Sequence, residues 1–289
     1  MRDADQLTPF ERGIGVRLTN EQVINEITIR LRNNLESLYP QINKATATIN
    51  GYSLGGQFAQ TFRFVLEHES RAISIFVKIC PVFENLDPAK KEFETLQASY
   101  EKMESLSDNY SVSRPLIYFQ DLNCYAMESV GVKDLRTILL KKNSIFASNE
   151  TVNELMGYIG GSAEWLALFH EITASDSVCQ FNIGNYLKSF TDEFNHTELS
   201  NYKFRASVVD ELDKLFNRMT SMSLPLTMPL ARWHWDYTPG HVYLDNSKIS
   251  VIDILGLENT PIYEDIGHFM ASITSINNLP RYPLFNRNM

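Results

Sequence analysis

The sequence has few cysteines, no long apolar run and no cluster of basic residues. Its three cysteines, Cys80, Cys124 and Cys179, are odd in number and show no Cys-x-x-Cys spacing, so we expect neither a disulfide framework nor a zinc site of paired cysteines. No apolar run approaches the ~20 residues that a membrane span needs. The first residues are too polar for a signal peptide. We therefore expect a reduced, cytoplasmic protein without a membrane span.

The charge balance is acidic. The 289 residues carry a net charge of −9, with a pI near 5.2. Without a basic run, nucleic acid is not an expected partner. Hydrophobic residues make up 44% of the chain, which is typical of a folded protein and is enough for one large domain or two lobes with separate cores. The sequence gives no signal for an oligomeric state.

The patterning changes from helix to strand near residue 45. Thr19 to Gln22 offers a capping box, and apolar residues follow at helical spacing up to Pro40. Between Ala45 and Cys80, three runs rich in β-branched and aromatic residues predict antiparallel strands. We expect residues 1–44 to form an extension whose helix packs on a β-rich lobe at residues 45–128.

Two features of this β-rich lobe could serve a phosphate-bearing ligand. Gly55 and Gly56 lie between the first two strands, where the missing Cβ lets backbone N–H groups approach a ligand, although such a pair is more often only a turn. Lys78 lies inside the apolar run Ile75 to Ile79. A buried ammonium there needs a partner or a ligand, and an edge-strand lysine that reaches solvent is the alternative.

A helix and a hairpin follow this lysine. Asp87-Pro88 marks the start of a helix that carries Glu92 and Glu94. Two apolar runs, ending near Phe119 and Glu128, predict a hairpin that completes a five-stranded antiparallel sheet. After Leu135 the patterning is helical almost throughout.

The most informative stretch runs from Trp233 to Asp253. It contains His234-x-Asp236, a loop into an apolar run, a polar turn at 245–248 and a second apolar run that ends near Asp253. This order predicts loop, strand, hairpin turn and strand, with Asp236 and Asp253 at one end of the hairpin. Such a pair suits phosphoryl transfer, because one carboxylate aligns a hydroxyl and the other holds Mg²⁺ on nucleotide phosphates. Turn and helix-capping roles are the structural alternatives.

This His-x-Asp loop and the aspartate after the second strand resemble the catalytic and metal-binding loops of the aminoglycoside phosphotransferases and choline kinases, relatives of the protein kinases. The resemblance implies an α+β, two-lobed protein-kinase-like fold, with an N-terminal antiparallel sheet with a helix and a larger helical C-terminal lobe at residues 129–289. It also implies a loop from Ile254 to Pro261, and Asp265 as a brace for the catalytic loop.

The same resemblance implies roles for individual residues. Lys78 would grip the phosphates of ATP and pair with Glu92, with Glu94 as the competing partner. Asp236 would be catalytic and Asp253 would bind Mg²⁺. The remaining nucleotide contacts would come from the glycine turn and from the backbone of the segment after the hairpin, which comprises Met127, Glu128 and Val130.

One position departs from the family pattern. The family has an Asn five residues after the catalytic Asp, and this chain has His241. An Asn oxygen is a hard ligand suited to Mg²⁺, whereas imidazole prefers transition metals, so His241 is an unusual second metal ligand.

Three functions follow from these residues. The leading hypothesis is ATP-dependent phosphorylation of a hydroxyl group on a small molecule such as a sugar, amino sugar or amino alcohol. A nucleotide-binding or scaffold protein without efficient transfer is the alternative that His241 suggests. A metalloenzyme that uses His234, Asp236 and His241 is the third.

Overall fold

The computed structural model describes residues 19–55, 59–80, 87–131, 133–142, 147–180, 214, 217–218, 227–245, 248–254 and 257–278. The helices are α1 (Asn20–Asn33), α2 (Leu35–Leu38), α3 (Pro88–Leu106), α4 (Leu135–Lys142), α5 (Asn149–Thr173) and α6 (Tyr263–Asn278). The strands are β1 (Thr48–Gly55), β2 (Gln60–His68), β3 (Arg71–Ile79), β4 (Tyr110–Val112), β5 (Pro115–Phe119), β6 (Cys124–Glu128), β7 (Lys133–Asp134), β8 (Val178–Gln180), β9 (Thr227–Trp233), β10 (Val242–Asp245), β11 (Lys248–Val251) and β12 (Leu257–Pro261).

The first lobe is built on an antiparallel sheet of five strands in the order β1-β2-β3-β6-β5. Helix α1 begins with the predicted capping box, in which the Thr19 side chain accepts from the Gln22 N–H and the Gln22 side chain accepts from the Thr19 N–H. The apolar face of α1 is buried with one face of the sheet in a single hydrophobic cluster that includes Val23, Ile27, Phe62, Phe64, Ile75 and Val77. The amino-terminal helix is therefore part of the core of this lobe.

Side chains along β3 alternate between the two faces of the sheet, and this alternation sets the direction of Lys78. Ile75, Val77 and Ile79 are buried on the α1 side of the sheet, so Lys78 points to the opposite face. Its neighbours across the strands are Thr61 on β2 and Tyr125 on β6. The lysine therefore faces the second lobe instead of solvent at a sheet edge.

The second lobe is organised around α5 and the β10–β11 hairpin. The hairpin belongs to a sheet of four strands in the order β4-β11-β10-β7, in which β4 and β11 are parallel. Trp165 and Phe169 of α5 are fully buried and stack at 5.2 Å, and Tyr237 stacks on Trp165 at 5.6 Å. The indole N–H of Trp165 donates to the Ser111 carbonyl at 2.8 Å. This aromatic core anchors the loop that precedes the hairpin.

The second lobe contains more β structure than the sequence indicates. Strands β12, β9 and β8 form a further sheet, and β12 covers the segment up to Pro261 that was expected to be a loop. That expectation is wrong because residues 257–261 pair with β9, opposite Leu230, Ala231 and Trp233. Strand β12 is short, and its partner β9 lies well before it in the sequence. The residues of β12 alone therefore show no clear strand pattern.

Two further sequence expectations concern cysteine and membrane helices. Cys80 and Cys124 are buried, and all three cysteines are free within the described part of the chain. No helix among the described residues combines enough length and hydrophobicity to cross a membrane.

Candidate active site

Lys78 lies between two carboxylates that come from different lobes. Its Nζ atom is 2.9 Å from Glu92 Oε2 on α3 and 2.5 Å from Asp253 Oδ1 beyond β11. The side chains of Lys78 and Glu92 are each 12% exposed, so solvent screens their pairing only weakly. Glu94, the competing partner, instead lies 3.8 Å from Lys90 on the exposed face of α3.

Lys78 and Asp253 stabilise each other's ionised forms. Burial disfavours the ammonium of Lys78, but Asp253 and Glu92 outweigh this effect and raise its pKa. Burial also disfavours the carboxylate of Asp253, and the ammonium of Lys78 reverses that effect and lowers its pKa. Tyr125 adds a hydrogen bond from its hydroxyl to Glu92 Oε2 at 3.0 Å. At neutral pH the cleft therefore holds a fixed cation that is ready to meet an anionic ligand.

Ile252 holds the two aspartate segments together through its backbone. Its N–H donates to the His241 carbonyl at 3.1 Å, and its carbonyl accepts from His234 Nε2 at 3.0 Å. The next residue, Asp253, has a left-handed backbone with φ +63°. This conformation is uncommon for a non-glycine residue, although aspartate tolerates it better than most, and strained backbone of this kind recurs at functional sites. The backbone thus turns the Asp253 carboxylate out of the β11 direction and toward Lys78.

His234 is a structural residue of the loop. It is fully buried, with its ring centroid 6.3 Å from that of Trp165 and 5.4 Å from that of Tyr237. Burial lowers its pKa to about 4, so the ring is neutral at pH 7. Because Nε2 donates to the Ile252 carbonyl, Nδ1 carries the lone pair, and among the described residues Nδ1 has no hydrogen-bond partner.

Asp265 braces the same loop from α6. Its carboxylate is 1% exposed, and Oδ2 accepts from the His234 backbone N–H at 3.0 Å and from His170 Nε2 at 2.9 Å. This places the first turn of α6 directly against the loop and ties both to α5.

Asp236 presents the open carboxylate of the loop. Its side chain is 44% exposed, with Oδ2 3.5 Å from His241 Nδ1 and Oδ1 3.9 Å from His268 Nδ1. His241 Nδ1 also donates to the Asp236 carbonyl at 2.7 Å. The structure thus brings Lys78 and Asp253 into direct contact and links Asp236 to them through His241.

The predicted metal ligands fit Mg²⁺ unequally. Asp253 offers hard carboxylate oxygens, which suit Mg²⁺ when phosphates and water complete the shell. His241 offers only a nitrogen, and its Nδ1 is already committed to the Asp236 carbonyl. Among the described residues, no group of three or more His, Cys, Asp or Glu side chains is arranged to hold a metal ion. The described residues therefore give the metalloenzyme hypothesis no support.

The predicted glycine turn is described only in part. Gly55 has φ +76°, a conformation that favours glycine, and no atom of the described residues lies within 4 Å of the position that a Cβ would take. Gly56 lies outside the described residues.

The segment predicted to contact the nucleotide begins with the last two residues of β6 and uses part of its backbone within the protein. Met127 pairs with strands on both sides, and the Glu128 N–H donates to the Arg114 carbonyl at 2.9 Å. The Ser129 N–H donates to a β3 carbonyl at 2.8 Å. A nucleotide base at this segment would therefore contact its carbonyl groups or Val130.

Three residues of the site had not been identified in the sequence. Tyr125 is the cross-strand neighbour of Lys78, which becomes evident only once the hairpin register is known. His268 lies three residues after Asp265, and this spacing places both on one helical face. Ile252 acts through backbone groups, so its side chain carries no signal.

Comparison with known proteins identifies the fold. No protein-family model matches the sequence, and neither does any curated protein. Among solved structures, a glucosamine kinase aligns with a TM-score of 0.53 and 12% identity, covering 89% of this chain and 65% of that chain. This chain thus spans slightly less than two thirds of that kinase.

Two further solved structures are similar. One is an ADP-bound aminoglycoside phosphotransferase, with a TM-score of 0.45 and 15% identity, covering 82% of this chain and 73% of that one. The other is a choline/ethanolamine kinase family protein from Mesorhizobium loti, with a TM-score of 0.42 and 14% identity, covering 86% and 71%. Together with the five-stranded sheet and the helical second lobe, the similarity to the glucosamine kinase confirms the predicted architecture: this chain has the two-lobed, α+β protein-kinase-like fold.

Proposed function

We propose that the protein transfers a phosphoryl group from ATP to a hydroxyl group of a small molecule. The observation that carries this proposal is the buried Lys78 ammonium, held between Glu92 and Asp253 and connected through Ile252 and His241 to an exposed aspartate. A fixed cation that is connected through the backbone to an open carboxylate matches the needs of phosphoryl transfer, which depends on positioning and on charge stabilisation.

Each residue has a role in the proposed reaction. Lys78 binds the α- and β-phosphates, and Glu92 keeps its ammonium in place. Asp236 accepts the proton of the acceptor hydroxyl, whose oxygen bonds to the γ-phosphorus while the bond from that phosphorus to the β–γ bridging oxygen breaks. ADP leaves with the bridging oxygen. Asp253 would hold Mg²⁺, which would supply neutralisation of the phosphate charge.

His234 and Asp265 act as supports in this proposal. A neutral, buried imidazole holds the Ile252 carbonyl, and the Asp265 carboxylate holds the loop backbone. Both keep Asp236 and Asp253 in a fixed relation, which matters because small misplacements slow a positioned reaction strongly.

A nucleotide-binding protein without efficient transfer is the second candidate. The observation that favours it is His241, whose imidazole stands where the resembled family has a metal-binding Asn and bonds to the Asp236 carbonyl. Under this candidate, ATP binds with equal affinity with and without Mg²⁺, and no hydroxyl compound stimulates ADP formation. Replacing His241 with Asn would then raise ADP formation.

A substrate screen with matched lysine variants tests the proposal. Sugars, amino sugars and amino alcohols are assayed for ADP formation with the wild type, Lys78→Met and Lys90→Met. Lys90 pairs with Glu94 on an exposed helix face at 3.8 Å, so its loss is a control for removing one positive charge. We expect a compound that stimulates the wild type and the control but not Lys78→Met. Equal ADP formation by all three proteins would contradict the proposal.

A further inference from the structure

A cavity of about 160 Å³ lies between helix α3 and the second lobe. Residues from the C-terminal half of α3, from the end of α5 and from β9 line it, and none of them belongs to the candidate active site described above. At about 30 Å³ for each water molecule in the liquid, the cavity has room for about five waters. It is smaller than the pockets that hold drug-sized molecules. A ligand of this cavity is therefore a small ion or a small molecule.

Two cationic side chains line the cavity, and none of its described lining residues is acidic. Lys102 on α3 donates from Nζ to the Ile172 carbonyl at the end of α5, at 2.6 Å. Arg232 on β9 donates from Nη1 to Thr95 Oγ1 on α3, at 2.7 Å. Both bonds join α3 to the second lobe, and both use neutral acceptors. Lys102 forms no ion pair within the described part of the chain, so its charge stands beside the cavity without a paired anion.

A capping role for Lys102 explains only part of this arrangement. A cation that bonds to the last carbonyl groups of a helix is favourable, and Lys102 has this position at the end of α5. An ammonium group has three N–H donors, however, and the bond to Ile172 uses one of them. The other donors and the positive charge are available to a ligand of the cavity.

Ser99 gives a second, independent indication of a ligand. It is 2% exposed, it lines the cavity, and its hydroxyl makes no hydrogen bond within the described part of the chain. Hydroxyl groups of helical Ser and Thr can bond to the carbonyl four residues before, as those of Ser162 and Thr173 do in α5. A buried hydroxyl without a partner costs free energy. A polar ligand in the cavity would remove this cost by bonding to Ser99.

We propose that this cavity is a binding site for a small oxyanion, either inorganic phosphate or a small carboxylate. An oxyanion accepts a charge-assisted hydrogen bond from the Lys102 ammonium and a further hydrogen bond from the Ser99 hydroxyl. A cation would be repelled by Lys102 and Arg232, and an apolar ligand would leave Ser99 unsatisfied. Because the cavity is bounded by α3 and by the second lobe, the bound anion strengthens the docking of α3, the helix that carries Glu92.

Isothermal titration calorimetry tests the site with phosphate and with malonate, in a chloride buffer of constant ionic strength. We expect one equivalent of at least one of these anions to bind with a Kd of about 1 mM or below. The melting temperature should rise with the concentration of that anion, because only the folded protein has the site. Comparing the two anions shows whether the cavity prefers a phosphate or a carboxylate group.

Two variants in α3 remove the site without weakening the helix. Ser99→Ala removes the hydroxyl and introduces a better helix former, so anion affinity should fall at least about threefold without a loss of stability. Ala98→Glu places a carboxylate four residues before Lys102, a spacing that pairs opposite charges on a helix. This internal anion should lower the affinity at least about tenfold. Lys90→Met removes a cation of α3 that is paired with Glu94 and, as the control, should leave the affinity unchanged.

Binding of the anion beside Lys78 is the competing explanation, and Lys78→Met distinguishes the two sites. We expect Lys78→Met to bind the anion with wild-type affinity. The inference is overturned if neither anion binds with a Kd of about 1 mM or below, if Lys78→Met abolishes binding, or if either Ser99→Ala or Ala98→Glu keeps the wild-type affinity. Anion binding that depends on Ser99, in a protein that forms no ADP with any hydroxyl compound, would uphold the inference and contradict the proposed function.

Discussion

Acidification should destabilise the second lobe through His234. Burial lowers the pKa of this imidazole from its ordinary value of 6.5 to about 4 in the folded protein. Between these two pKa values, His234 is protonated in the unfolded chain but neutral in the folded protein. The free energy of unfolding is therefore unaffected by this group above pH 6.5, and it decreases as the pH falls from 6.5 toward 4. At about 1.4 kcal/mol per pH unit, a gap of about 2.5 units amounts to about 3 kcal/mol.

Denaturant unfolding at a series of pH values measures this effect. The three tryptophans, Trp165, Trp233 and Trp235, all lie in the second lobe, so their fluorescence reports on the lobe that contains His234. Between pH 7 and pH 4, the wild type should lose about 3 kcal/mol more unfolding free energy than His234→Asn.

A buried apolar truncation serves as the control. Val242→Ala removes volume at a position that is 0% exposed and should lower stability equally at every pH. Curves for the wild type and His234→Asn that run parallel from pH 7 to pH 4 would refute the reasoning.

Further predictions concern helix packing and the loop brace. In Gly161→Ala the new Cβ would lie 2.5 Å from the Ile249 side chain, so denaturant unfolding should show a loss of about 1–2 kcal/mol. Gly157→Ala, on the same helix and with no described atom within 4 Å of the new Cβ, should gain about 0.5–1 kcal/mol, and a gain at both positions would contradict the packing at residue 161. Asp265→Asn weakens the bond to the His234 N–H. It should lower turnover at unchanged affinity for an ATP analogue, and loss of nucleotide binding would contradict its role as a brace.

The sequence predicted the parts of the fold that depend on local patterns. The capping box at Thr19, the individual strands of the first lobe and the hairpin before Asp253 are specified by residues close together in the chain. Their periods and turns are therefore readable without tertiary information. The helical bias of the second lobe was read the same way, whereas β12 was missed because its pairing with β9 is set by the packed lobe.

Only the residues of the site that belong to recognisable sequence motifs could be predicted from the sequence. The order of Lys78, Glu92, Asp236 and Asp253 matched a known arrangement, but the choice between Glu92 and Glu94 depended on which face of α3 meets the sheet. Glu92 and Glu94 are two positions apart, with one residue between them, and so point to opposite sides of a helix. Only the docked helix shows that Glu92 meets the lysine.

The other features of the site depend on contacts between elements that are distant in sequence. His268 reaches the loop around Asp236 because Asp265 anchors α6 there, and no local pattern encodes that docking. The neutral state of His234 follows from rings contributed by α5 and by its own loop. Burial of this kind is a property of the assembled core and not of the neighbouring sequence.

The central claim is that Asp236 is the group that activates the acceptor hydroxyl. Single-turnover ADP formation with an accepted hydroxyl compound tests it in Asp236→Asn, with Asp108→Asn at an exposed bend as the control. We predict that turnover falls about 10²–10⁴-fold in Asp236→Asn, while its affinity for an ATP analogue and the turnover of the control stay at the wild-type level. Wild-type turnover in Asp236→Asn would contradict the account.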